Sequence, residues 1–280
     1  MTRFFTLAIL WSWAFWIPMV LYFQNRGPDA GEGELAGIPV WALLLAFVGG
    51  YGPTAAGVIF SARDSGREGV KALLRRLLVW RVGLRWHLFA WLAPMAFLLV
   101  GMLIYAARGG DLGQPNWGRL VLVPVAVFFA VIFGPLGEEL GWRGYALPRL
   151  QQHYSALKSS LILGLVWTLW HVPMFWGPGG TVVSGGPVTL WAIGKYVLYL
   201  LGFSILYTWL FNNTRGSVLL AVIFHTSANA VLPLVAFPDR ADDASRLIDE
   251  WSVIGIWIAA LLVLLIQGPR KLTRGEVPAP

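Results

Sequence analysis

Three short stretches carry the side chains of this chain that could do chemistry. In GPLGEELGWRGYALPRL, Glu138 and Glu139 are adjacent and Arg143 follows four positions after the second. In LILGLVWTLWHVPMFW, Trp167 precedes His171 by four, and in LLAVIFHTSANA, His225 precedes Asn229 by four. Residues four apart share one face of a helix. Glu139 and Arg143 can therefore pair and neutralise each other. Glu138 lies about 100° further round the helix and is left free to act as a base. His225 and Asn229 would face one cavity, and Trp167 would give His171 an aromatic wall. Three kinds of behaviour fit these groups: a polar network that clamps helices together, a path for protons or ions, and hydrolysis by an activated water.

The elements that must hold them follow from composition. Of 280 residues, 57% are AVILMFWYC and 12% are charged, with a mean hydropathy of +0.66. Ordinary soluble domains are about 25% charged. Most soluble enzymes, nucleic-acid binders and secreted scaffolds are thereby excluded. The net charge of +7 is no sign of a nucleic-acid partner here. With no Cys, disulfides, cysteine metal sites and a thiol nucleophile are absent too. What remains is an all-α polytopic membrane protein, read as a single transmembrane domain over 1–280 with no internal repeat. About 20 apolar residues cross a bilayer core. Eight stretches qualify: 4–23, 38–60, 86–107, 119–140, 159–176, 191–211, 218–237 and 251–266. The first is read as a retained span and not as a cleaved signal peptide, because its apolar run is too long and no small-x-small site follows.

Charge then sets the orientation. The gaps 24–37, 108–118, 177–190 and 238–250 hold Arg26, Arg108, Arg240 and Arg246 against nine carboxylates, among them Asp249 and Glu250. The opposite side holds 15 Lys and Arg, seven of them in 61–85, together with Arg3, Arg143, Arg149, Lys158, Arg215, Arg270, Lys271 and Arg274. Lysine and arginine in short loops mark the cytoplasmic side, so both termini are expected there, in the cell membrane. Segment 61–85 reads as an interfacial amphipathic helix, with Val70, Leu73, Leu74, Leu77 and Leu78 on one face and basic residues elsewhere, lying on the lipids of the inner leaflet. Gly49-Gly50-Tyr51-Gly52-Pro53 should kink the second span.

Ionisable groups inside a membrane are rare and costly, so each is a functional candidate. Lys195 is expected to snorkel to the headgroups, while His87 and His153 read as interface residues. The others share a depth. At about 1.5 Å per residue, His171 lies roughly 20 Å past Lys158, His225 roughly 15 Å past Arg215, and Glu138 roughly 16 Å from Arg149. Scattered core polar groups would not share a level.

At these residues the chain resembles the CPBP family of CAAX proteases and bacteriocin-processing enzymes, also called Abi, which includes the CAAX prenyl protease 2 type. That family carries EExxxR, (F/W)xxxH and HxxxN on separate membrane helices. Here they read Glu138-Glu139-x-x-x-Arg143, Trp167-x-x-x-His171 and His225-x-x-x-Asn229, a catalytic core over 135–230. Trp167 stands where Phe is commoner, and Trp142 precedes Arg143 where Phe is usual. The resemblance implies an intramembrane endopeptidase. Glu138 and His171 would activate water, and His225 and Asn229 would stabilise the oxyanion. Glu139, Arg143 and Trp167 would support the site. It also admits a zinc ion on Glu138, His171 and His225, or a metal-free glutamate base. Asn229 favours the metal-free form, because an amide is a poor zinc ligand and a good oxyanion donor. The implied substrate is a lipidated protein C-terminus, prenylated in the family's eukaryotic members, or a leader peptide. A non-enzymatic bacteriocin-immunity protein and a proton or ion transporter are the alternatives. The transporter is disfavoured by the lack of a repeat and by the location of every expected buried acid on one helix.

Overall fold

A computed structural model describes residues 1–25, 39–114, 117–177, 187–229 and 242–280, and all regular structure among them is helical. Five stretches are long and apolar enough to cross a bilayer: Thr2–Gln24, Leu84–Ala107, Trp117–Gln151, Leu190–Asn213 and Leu247–Gln267. A sixth is the pair Val40–Gly50 and Gly52–Leu78, bent by 43° at the expected Gly-Tyr-Gly-Pro break. We number the helices α1 (Thr2–Gln24), α2 (Val40–Gly50), α3 (Gly52–Arg75), α4 (Leu84–Ala107), α5 (Val123–Phe133) and α6 (Pro135–Glu139). A π-helix, Leu140–Ala146, leads into α7 (Leu147–Gln151). There follow α8 (Ala156–Trp170), α9 (Leu190–Asn213), α10 (Val218–Ala228) and α11 (Asp242–Gln267).

The polytopic all-α architecture is as expected, but two of the eight stretches form shorter helices. At about 1.5 Å per residue, α8 reaches about 22 Å and α10 about 16 Å, against a core of about 30 Å. The cause in α8 is local. Pro173 cannot donate to a helical hydrogen bond, so the helix ends with His171 as its cap and the chain goes on as a 3₁₀ turn, Val172–Trp176. Asn229 caps α10 in the same way, and the remainder of that stretch, 230–237, lies outside the described residues. The short helices bring His171 and Asn229 to helix ends part-way through the membrane.

Helix ends inside a bilayer leave carbonyls that water cannot satisfy. Side chains of α1 answer this need. The indoles of Trp11 and Trp16 donate to the carbonyls of Val48 and Ala46 near the end of α2, and Trp13 donates to that of Trp170 at the end of α8. Ser12 donates to the Gly49 carbonyl at 2.6 Å and accepts from the Trp170 indole at 2.6 Å. On the other side of the break, Tyr51 donates to the Ile132 carbonyl and Thr54 to that of Leu136. The α2–α3 bend therefore grips the α5–α6 bend, the element that carries the glutamates.

Small residues let the two backbones meet. A methyl group at Gly137 would lie 2.6 Å from the Gly50 carbonyl oxygen, and one at Gly141 would collide with the Pro53 carbonyl. Gly141→Ala is expected to lower stability by about 1–3 kcal/mol, since backbone cannot yield as a flexible side chain can. Thermal unfolding in detergent reads this, and an unchanged midpoint would refute the close approach.

The basic end of the bundle gathers both termini. Phe4 stacks on Tyr145 at 4.9 Å, and the Tyr145 hydroxyl and Arg149 both donate to Asp64. The C-terminal segment runs back across the same end as a strap. The carbonyls of Pro269 and Arg270 accept from the amides of Leu157 and Ala156 at the start of α8. Asn212 and Asn213 donate to the carbonyls of Lys271 and Leu272, and Arg76 donates to that of Ala279.

Two expectations need correction. Arg143, counted among the charges of the basic side, is fully buried within the π-helix. Lys195 does not snorkel outward: it lines an internal cavity and pairs with Glu250 at 3.8 Å. Segment 61–85 continues α3 past an irregular step at Ser65 and Gly66 (φ 58°). It is amphipathic as expected: Leu73 packs under Gly144 of the π-helix, while Leu74 and Leu78 stay exposed.

Candidate active site

Three helices that carry the motifs, α6, α8 and α10, converge on one cavity of about 700 Å³. Glu138, His171, His225 and Asn229 all line it, with Trp167 and Tyr207 beside them. The common depth expected from the sequence is thus a common place. Gly134, in the break between α5 and α6, keeps its floor open: a methyl group there would lie 3.3 Å from the Asn229 amide nitrogen and 4.0 Å from Glu138 Oε1.

The two adjacent glutamates have different surroundings. Glu139 is fully buried, and its Oε1 accepts from Arg143 Nη1 at 2.9 Å and from His225 Nδ1 at 2.7 Å. The Arg143 guanidinium lies between the rings of Trp167 and Tyr207, 4.2 and 3.8 Å from their centroids. Two aromatic faces and one carboxylate hold the cation where water cannot. Glu138 sits on a different side of the helix, as its position predicts. Its Oε2 accepts from the Trp167 indole at 2.6 Å, and Oε1 is turned toward the Gly134 opening. Trp167 is more than an aromatic wall, then: its N–H orients the base, which the commoner Phe could not do.

Hydrogen bonds also fix the imidazoles. His171 Nδ1 lies 2.9 Å from the Trp167 carbonyl, which can only accept, so that nitrogen carries the proton and Nε2 presents a lone pair. His225 Nδ1 donates to the Arg-paired Glu139, so its Nε2 donates only when the ring is an imidazolium. Glu139 is the counter-ion for that state.

Zinc is the cofactor that the resemblance admits, and its fit can be judged from the donors. Among the described residues, no three His, Asp or Glu side chains come together as a metal-ligand group. Glu138 Oε2 is occupied by Trp167 and His225 Nδ1 by Glu139. That leaves Glu138 Oε1, His171 Nε2 and His225 Nε2 as the atoms that would hold the ion, which would polarise a bound water; they are not gathered as a ligand group among the described residues, and no step below passes through a metal.

Sequence reasoning missed several cavity residues. Tyr196, Tyr199, Phe203 and Tyr207 recur on one face of α9 and line the cavity. Such an aromatic stripe at helical spacing reads as core, and only the convergence of helices reveals its other use. Asp249 also lines the cavity, and the Glu250 side chain is 16% exposed. Both lie on α11 and not in a loop, while the fully enclosed acids among the described residues, Glu138 and Glu139, sit on one helix as expected.

Comparison with known proteins reaches the same segment. Residues 120–231 match the family model described as Type II CAAX prenyl endopeptidase Rce1-like. A CAAX prenyl protease 2 from Methanococcus maripaludis is 29% identical over 198 residues, covering 69% of this chain and 73% of that protein. The matched segment contains all three motifs and every side chain of the buried cluster. The motifs and the comparisons agree on the segment that carries the site, and over it the chain is similar to type II CAAX prenyl endopeptidases.

Proposed function

We propose that this protein is an intramembrane endopeptidase that cuts near the C-terminus of a lipidated protein, within a catalytic core spanning 135–230. The observation that carries the proposal is the meeting of Glu138, His171, His225 and Asn229 on one cavity. The similarity to a CAAX prenyl protease supports the choice of substrate. A prenylated C-terminus suits a cavity whose wall includes Ala42, Leu43, Ala46, Met95, Leu98 and Phe203.

In this reading a water held between Glu138 Oε1 and His171 Nε2 donates to both, which leaves its own lone pair free for the scissile carbonyl. Glu138 takes a proton as the C–O bond forms. The oxygen of the tetrahedral intermediate is held by the Asn229 amide and by His225 as imidazolium, with Glu139 balancing the charge. The protonated Glu138 then returns its proton to the leaving nitrogen, and the C–N bond breaks. A membrane-bound site, with both termini facing the cytoplasm of the cell membrane, would let the lipid anchor stay in the bilayer while the peptide bends in.

The test is release of a C-terminal tripeptide from a farnesylated peptide by purified protein in liposomes. Absence of release, with the protein folded, would favour the non-enzymatic immunity reading. A metal-free mechanism further predicts that activity persists after dialysis against EDTA and that purified protein holds far less than one zinc per chain. Loss of activity with EDTA and its return with zinc would overturn that part.

A further inference from the structure

The cavity is rich in acceptors and poor in donors. Glu138 accepts, His171 Nε2 accepts, and His225 Nε2 donates only as imidazolium. Among the groups already assigned, the Asn229 amide is the one donor whose readiness does not depend on a proton. An oxyanion formed in a water-poor cavity needs more than that.

Tyr196 supplies the chemistry that is short. It lies on α9, outside all three motifs, and lines the same cavity. Its ring meets His171 edge to face at 5.5 Å, and Glu138 is close enough for the two groups to interact electrostatically. Phe175 and Tyr199 hold the ring from other sides, at 5.4 and 6.2 Å. Three neighbours thus fix the plane, while the hydroxyl forms no hydrogen bond among the described residues and is not among the buried polar atoms that lack a partner. A phenol fixed in orientation and open to the cavity is a preorganised donor.

We infer that the Tyr196 hydroxyl is a further catalytic group, donating a hydrogen bond to the oxygen of the tetrahedral intermediate alongside Asn229 and His225. The inference rests on the endopeptidase reading. No bond to Tyr196 forms or breaks. Its O–H stays intact, and its contribution grows only as charge develops on the substrate oxygen.

Tyr196→Phe is a clean test because it keeps the ring and all its contacts and removes only the O–H. Tyr105→Phe is the control: it removes a hydroxyl from a tyrosine of α4 that does not line the cavity. With the farnesylated peptide in liposomes, Tyr196→Phe should lower kcat by about 100-fold with KM within about twofold, and Tyr105→Phe should stay within about twofold in both. A merely structural role for Tyr196 would survive the change to Phe. A fall in kcat of less than about tenfold, or an equal fall in both variants, overturns the inference while wild-type cleavage leaves the endopeptidase reading standing. If wild type and Glu138→Ala both release nothing, the endopeptidase reading falls, and this inference falls with it.

Discussion

Glu138→Gln should lower kcat by about 10²–10⁴-fold while leaving the unfolding midpoint close to wild type. The substitution is nearly isosteric. A glutamine carbonyl can still accept from the Trp167 indole, which now holds Oε2 at 2.6 Å, so the side chain keeps its orientation. What disappears is the capacity to take a proton from water and return it to the leaving nitrogen. The adjacent carboxylate cannot take over, because Glu139 is committed to Arg143 and His225. Turnover of the farnesylated peptide and thermal unfolding, measured on the same preparation, separate the two roles. Loss of stability with retained turnover would make Glu138 a packing residue and remove it from the mechanism.

Arg143→Ala carries the second large effect, on folding. The guanidinium is fully buried and pairs with a fully buried carboxylate. Removing it strands Glu139 beside His225 alone and empties the space between Trp167 and Tyr207. Breaking one side of a buried pair costs about 3–5 kcal/mol, because the remaining charge has lost its compensation. The double change Glu139→Gln with Arg143→Met should recover part of that loss, since it removes both charges and refills the gap. Unfolding in detergent, followed for single and double variants, reads the difference. A stable Arg143→Ala protein would mean that His225 alone suffices as counter-ion.

How far the sequence revealed this site depended on the kind of signal. Pairing of Glu139 with Arg143 was legible from a spacing of four, even though the segment folds as a π-helix. The meeting of the motifs was legible as shared depth, because ionisable groups in lipid have few places to go. Hydrogen-bond direction was not legible. Nothing in WxxxH says that the indole reaches a glutamate on another helix. Helix length was misjudged where apolar residues continue beyond Pro173, since hydropathy does not register a missing N–H. Lys195 was misjudged for a related reason: its distance from the helix end was known, but not that the helix turns that face inward to Glu250. Tyr196 was invisible because a tyrosine in an aromatic stripe looks like packing until the other helices are in place.

The C-terminal strap also limits how the molecule can move. By holding the start of α8, the end of α9 and Arg76 after α3, it joins one end of the helix bundle like the binding of a book. Helices bound at that end can separate only by pivoting about it, so a substrate must part them sideways or from the opposite end. α5 is the loosest leaf: it has no buried residue, yet Ala130 and Phe133 form part of the cavity wall. A guest admitted past that leaf comes from the lipid, and its supply is set by its surface density in the bilayer and not by its concentration in water. Turnover should then scale with the mole fraction of substrate in the vesicle.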